Sequence, residues 1–225
     1  QYFGRCIICK EWNTIIEEEK NYIKTKKSIA SKTEKSKTFN EIEIADLTRV
    51  KSGFNELDRV LGGGFVNGSV VLLGGEPGIG KSTLVLQSAA KISLFKKVLY
   101  ITAEESLEQV KIRWERLNQQ SSDLKIFAEN ELSKITQEIQ NNSPSIAIID
   151  SIQAIHNNEM ESTCGSVSQV RSCSSELQKL AKESNITLLI IGHVTKDGSL
   201  AGPKTLEHLV DVVLNFEGDH IASRR

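Results

Sequence analysis

The chain has 225 residues, 39% apolar and 25% charged, a balance that suits one or two globular domains and excludes a wholly disordered chain. Lys plus Arg number 28 against 29 for Asp plus Glu, so the net charge is −1 and any nucleic-acid contact must come from a local patch. The apolar runs fall far short of the ~20 residues of a membrane span, and residues 1–30 lack the apolar core of a secretion signal.

Residues 1–14 carry Cys6 and Cys9 in C-x-x-C spacing, followed by Trp12. Without a secretion signal, such thiols point to a metal or to inert cysteines before disulfides. The chain opens on Gln1, not Met, and reads as a processed or truncated piece. Residues 15–49 are rich in Lys and Glu and show no apolar face, so they read as a polar linker.

From residue 50 onward the text is globular, and one domain is expected over 50–225. Short apolar runs at 70–73, 98–101, 124–127, 146–149, 188–191 and 212–216 alternate with helical patterns at 81–93, 106–118, 131–141 and 165–184. Continuously apolar strands alternating with helices predict an α/β fold: a mainly parallel sheet with helices on both faces.

Gly75-Glu76-Pro77-Gly78-Ile79-Gly80-Lys81-Ser82, followed by Thr83, fits G-x-x-x-x-G-K-[ST] between an expected strand and an expected helix. The glycines let backbone N–H groups turn inward around phosphate oxygens, and the helix adds its positive end. Lys81 is expected on the β- and γ-phosphates of ATP, and Ser82 on Mg²⁺. The run at 146–149 ends in Asp150, the expected second residue on the Mg²⁺ side.

Two readings stay open further along. Glu104 and Glu105 follow the run at 98–101; they are water-orienting carboxylates at the ligand edge of the sheet, or acids placed at a helix start by its dipole. His193 closes the run at 188–191 and is a γ-phosphate sensor or a structural histidine. Cys164 and Cys173 stand nine apart without ligand spacing and read as inert thiols.

Ser52-Gly53-Phe54-Asn55-Glu56-Leu57-Asp58, then Leu61-Gly62-Gly63-Gly64, then the phosphate loop, resemble the RecA-like ATPase superfamily. The segment at 101–106 looks like that superfamily's post-strand glutamate motif, and segments at 165–171, 192–198, 200–203, 206–208 and 216–219 are similar to those of the bacterial RadA (Sms) family of DNA repair proteins. Gly4-Arg5-Cys6-x-x-Cys9-x-Glu11-Trp12 resembles the second half of that family's four-cysteine zinc module.

The resemblance implies a RecA-like P-loop ATPase domain over 50–225, a hexameric ring and DNA-stimulated ATP hydrolysis. It also implies binding of single-stranded and branched DNA, branch migration of recombination intermediates, and a RecA-type recombinase as partner. By the same resemblance Glu104 orients water, Asp150 serves Mg²⁺, His193 senses the nucleotide, and Arg171 and Lys196 lie in segments resembling the family's DNA-facing loops. Cys6 and Cys9 would be half of a Zn²⁺ site in the intact protein. The place would be the cytoplasm of a bacterium, or an organellar matrix or stroma.

The family's Pro and Gly around its cysteines are Ile7 and Lys10 here, and Cys164 stands where the family has Pro. The chain stops at Arg225, before the family's Lys-Asn-Arg-Phe-Gly motif and its Lon-protease-like C-terminal domain, so it reads as a segment holding the ATPase core. The alternatives are a KaiC-like regulatory ATPase or autokinase, and a truncated, non-catalytic nucleotide-binding protein.

Overall fold

The computed structural model describes residues 49–119, 123–193 and 204–218, together with Ser36, Thr38 and Asn40. The chain divides into two units, Gln1–Ile44 and Ala45–Arg225, and the elements below belong to the second. In chain order they are α1 (Asn55–Val60), β1 (Val70–Gly75), α2 (Lys81–Ile92), β2 (Val98–Thr102), α3 (Leu107–Arg116), β3 (Leu124–Ala128), α4 (Leu132–Asn142), β4 (Ile146–Asp150), α5 (Val167–Ser184), β5 (Thr187–Ile191), α6 (Lys204–Glu207) and β6 (Val212–Phe216). One 3₁₀ turn, Ile152–Ala154, follows β4. The six apolar runs are the six strands, to within a residue or two at their ends. The short helices α1 and α6 are too brief to show in the apolar periodicity.

The strands form one sheet in the order β3-β2-β4-β5-β1-β6, and every pair is parallel. The chain leaves β1 in one direction, reaches β2 and β3, then returns through β4 and β5 to β6. This reversal puts α2 and α3 on one face and α4, α5 and α6 on the other, as right-handed crossovers require.

Strand side chains alternate between the two resulting cores. Val70, Leu72, Ile149 and Leu188 pack with α4 and α5, while Val71, Leu73, Ile148 and Leu189 pack with α2. With both faces covered, β1, β2, β4 and β5 are buried at every residue, which is why they read as unbroken apolar runs.

Local signals set the helix starts. Ser106 accepts from the Gln109 N–H at 3.4 Å while the Gln109 side chain accepts from the Ser106 N–H at 2.9 Å, a capping box ahead of α3. Ser166 caps α5 by accepting from the Gln169 N–H, and Asn185 ends it in the left-handed region at φ 54°. Before β1, Val50 and Phe65 exchange backbone hydrogen bonds of 2.8 Å each, anchoring the glycine-rich approach to the α2 side of the core. Among the described residues no helix is long and apolar enough to cross a membrane.

Gly75 ends β1 level with Phe216 of β6. A Cβ there would stand 2.5 Å from the Phe216 carbonyl oxygen and 3.3 Å from Lys81 Cδ. At Gly78, φ is +77°, but a Cβ would meet nothing within 4 Å. Gly75→Ala is therefore expected to push β6 away from β1, costing about 1–3 kcal/mol and raising amide exchange along β6. Gly78→Ala is expected to cost only its backbone strain, about 1–2 kcal/mol, and to leave β6 protection unchanged. Urea unfolding with amide hydrogen exchange separates the two; equal β6 exchange in both variants would refute the contact argument.

Candidate nucleotide site

The phosphate loop runs from the end of β1 into α2, as its motif demands. Glu76, Pro77 and Gly78 are exposed, Ile79 and Gly80 half-buried, and Lys81 only 3% exposed. Lys81 Nζ donates to the carbonyls of Gly75 at 2.7 Å and Glu76 at 2.9 Å, which folds the side chain back under its own loop. Burial pulls the Lys81 pKa below its ordinary value, and the Asp150 and Glu104 carboxylates partly restore it. Ser82 and Thr83 follow in the first turn of α2, half-buried.

Sheet parity decides where Asp150 points. It ends β4 two residues after Ile148, so its side chain leaves the sheet on the face that α2 covers. The strand between β1 and β4 is β5, so the loop and Asp150 stand two strand spacings apart, about 10 Å. Asp150 is 7% exposed, and its Oδ2 accepts a 2.6 Å hydrogen bond from Tyr100 Oη. Burial, then the neighbouring carboxylate, holds the Tyr100 pKa well above its usual value, so the phenol stays a donor.

A hydroxyl and one carboxylate are hard oxygen donors, the set Mg²⁺ uses when nucleotide phosphates and water complete its shell. Ser82 and Asp150 therefore fit Mg²⁺. Among the described residues no cluster of three or more His, Cys, Asp or Glu forms a metal site of its own.

The two glutamates have opposite fates. Glu105 forms an ion pair with Arg113 of α3 and closes a turn with Thr102, whose Oγ1 accepts from the Glu105 N–H at 3.1 Å. Glu104 turns to the sheet edge instead. Its Oε1 accepts from Ser151 Oγ and lies 3.3 Å from His193 Nε2. Hydrogen bonding from His193 is the largest influence on it; despite some burial, that bond, Ser151 and the charge of Lys81 hold its carboxyl below the usual range. Neither acid belongs to the first turn of α3, where Glu108 stands.

Glu104, Ser151 and His193 come from the ends of β2, β4 and β5, and the structure brings them together at one edge. Gln153 adds a contact from its Nε2 to the His193 carbonyl at 3.5 Å. Sequence reasoning misses Tyr100, Ser151, Gln153 and Arg113. Tyr100 has one available signal: an aromatic hydroxyl inside an apolar strand needs a buried partner.

Arg171 is exposed on the second turn of α5 and lines an open groove with Val167, Ser168 and Glu176. No contact among the described residues ties it to the phosphate loop. Lys196, Cys6 and Cys9 lie outside the described residues. Cys173 is buried and its thiol is pushed up to about 11, chiefly by burial, in keeping with an inert thiol.

A parallel sheet with a phosphate loop on its first strand, and acids at two further strand ends, defines a P-loop NTPase domain of RecA-like architecture. The chain belongs to the AAA-domain family, whose model matches residues 36–199. It is 46% identical over 222 residues to the DNA repair protein RadA of Listeria monocytogenes, covering 97% of this chain and 49% of that protein. It is 44% identical over 225 residues to RadA of Bacillus subtilis, with 97% and 49% covered. The chain thus spans about half the length of the curated relatives it matches.

Solved structures agree on the architecture. A KaiC-like protein of Pyrococcus horikoshii gives a TM-score of 0.58 at 21% identity, with 78% of this chain and 84% of that chain covered. The ATPase domain of another protein gives 0.63 at 22% identity, with 81% of each chain covered. At these identities the likeness is one of fold.

The depressed Glu104 pKa carries a sign. A carboxylate held low in the folded state adds stability above its unfolded pKa, and that contribution is lost as pH falls through the folded value. Glu104→Gln is expected to flatten the acid limb of stability below about pH 5. Urea midpoints measured from neutral pH down to the onset of acid unfolding read this out; parallel limbs in variant and wild type would contradict it.

Proposed function

We propose that this chain is the ATPase core of a RadA-type DNA repair protein, which hydrolyses ATP with Mg²⁺ and couples the reaction to single-stranded DNA. The observation that carries the reading is the meeting of Glu104 and His193 at the sheet edge that also holds Lys81 and Asp150. Lys81 neutralises the β- and γ-phosphates from beneath the loop. Ser82 and Asp150 would hold Mg²⁺, which would supply positive charge to the nucleotide phosphates.

Glu104 orients the attacking water. Held by Ser151 and His193, its carboxylate is a fixed hydrogen-bond acceptor for that water. The water oxygen bonds to the γ-phosphorus as the bond to the ADP oxygen breaks, and the water's proton passes to a phosphate oxygen. His193, between Glu104 and the end of β5, reports whether the γ-phosphate is present.

The relatives' name, DNA repair protein RadA, and their identity over nearly the whole chain support the DNA coupling. Branch migration, a hexameric ring, and DNA contact by Arg171 and Lys196 are further parts of this proposal. So is Zn²⁺ held by Cys6 and Cys9 with a second pair.

The test is steady-state ATP hydrolysis with Mg²⁺, with and without single-stranded DNA, with Lys81→Ala as the blank. DNA is expected to raise turnover, and the variant to lose it with or without DNA. DNA binding is expected to weaken steeply with salt, because phosphate contacts release counterions. Undiminished nucleotide binding and turnover in Lys81→Ala would overturn the phosphate-site assignment. Salt-insensitive DNA binding would overturn the coupling, and incorporation of phosphate into the chain would favour a KaiC-like regulatory ATPase.

A further inference from the structure

We infer that Tyr100 is a positioning residue for the metal-side carboxylate: it fixes the rotation of Asp150 so that Oδ1 is kept for Mg²⁺ and its water shell. The inference rests on the nucleotide-site reading above and deepens it.

Register and parity bring the two groups together. In the parallel pair β2–β4, Tyr100 stands level with Ile148 and Thr102 level with Asp150. Tyr100 and Asp150 therefore leave the same face of the sheet, on adjacent strands and two residues apart along them. That diagonal separation, about 7–8 Å between backbones, is within reach of an aromatic side chain lying along the strand direction. The phenol oxygen ends 2.6 Å from Asp150 Oδ2. A short polar side chain at position 100 would not reach, and phenylalanine would fill the same space without a donor.

The contact has a consequence for Asp150. A carboxylate turns about its last torsion in a broad, two-fold well, so burial alone does not choose which oxygen faces the phosphates. Tyr100 occupies Oδ2 from the sheet side. Oδ1 makes no hydrogen bond among the described residues, and the Asp150 side chain leaves the sheet on the face that α2 covers. Tyr100 itself is fully buried in the core shared with Val85, Leu86 and Ala89 of α2. Its ring is held by the helix whose first turn carries the phosphate-binding residues. The same packing that positions the loop thus positions the carboxylate opposite it.

A purely structural tyrosine would give the same burial and the same satisfied hydroxyl, so the decisive measurement is metal dependence. Binding of a fluorescent N-methylanthraniloyl ATP is titrated in EDTA and across a Mg²⁺ series, for the wild-type chain and for Tyr100→Phe. The variant is expected to match the wild type in EDTA within about twofold. It is expected to need roughly ten- to hundredfold more Mg²⁺ to reach half of the metal-induced gain in affinity, the usual cost of losing a partner to a metal-binding side chain. Coincident Mg²⁺ midpoints would overturn the inference and leave the phosphate site standing. A wild-type chain whose binding ignores Mg²⁺ would overturn the site reading itself, a different result.

If Tyr100→Phe does not fold, the same question is put to a chain with Tyr2→Phe and Tyr22→Phe, which keeps Tyr100 as its sole tyrosine. The phenol ¹³Cζ resonance is then expected to move on adding Mg²⁺ to the nucleotide complex. A resonance that does not move would count against the inference.

Discussion

The parallel register of β1, β5, β4 and β2 is the constraint on which the rest of the structure depends. Backbone hydrogen bonds set Leu73 level with Ile191, Ile190 level with Ile149, and Asp150 level with Thr102. The residues just past these levels are the phosphate loop, His193, Ser151 and Glu104. Four segments scattered over more than a hundred residues of sequence thus end on one edge. A slip of one residue in any pair would turn that strand's side chains to the opposite face. Asp150 would then face α4 and α5 instead of α2, and Tyr100 could not meet it.

The reversal of strand order between β1 and β5 makes that edge a binding crevice. α2, which follows β1, and α6, the next helix after β5, lie on opposite faces of the sheet, the topology that places a crevice at the strand ends. The phosphate loop fills one side with backbone N–H groups, and His193 and Glu104 line the other. Charge is matched within this space. Lys81 is desolvated but sits near two carboxylates, while Glu104 is kept ionised by His193, Ser151 and the same lysine. The site is an arrangement of mutual support, not a set of independent side chains.

Adjacent residues with the same chemistry have been given different work. Glu105 is held by Arg113 and the Thr102 turn, which fixes the path of the chain from β2 into α3. That anchoring frees Glu104 to project at the edge. The capping box on Ser106 and Gln109 starts the helix without using either acid. Ser151 does comparable work after β4, with its hydroxyl on Glu104 in a fully buried position.

Much of this was legible in the sequence. Unbroken apolar runs determined buried parallel strands, because only a sheet covered on both faces can use such runs. The spacing of glycines, lysine and serine determined the phosphate loop, because the backbone conformations it needs are restricted to that pattern. The strand-ending aspartate followed from the same logic. Residue pattern left Glu104 and Glu105 equivalent, with only the family resemblance favouring Glu104; the tertiary structure separates them physically, because Arg113 on the folded α3 holds Glu105 while Glu104 meets Ser151 and His193. Tertiary structure alone decided that β5 lies between β1 and β4, and so that His193 meets Glu104. It alone paired Tyr100 with Asp150, because that contact depends on strand register and on which face of the sheet α2 covers. Periodicity in one segment of sequence carries the shape of that segment; which segments become neighbours is settled only when their cores are buried against each other.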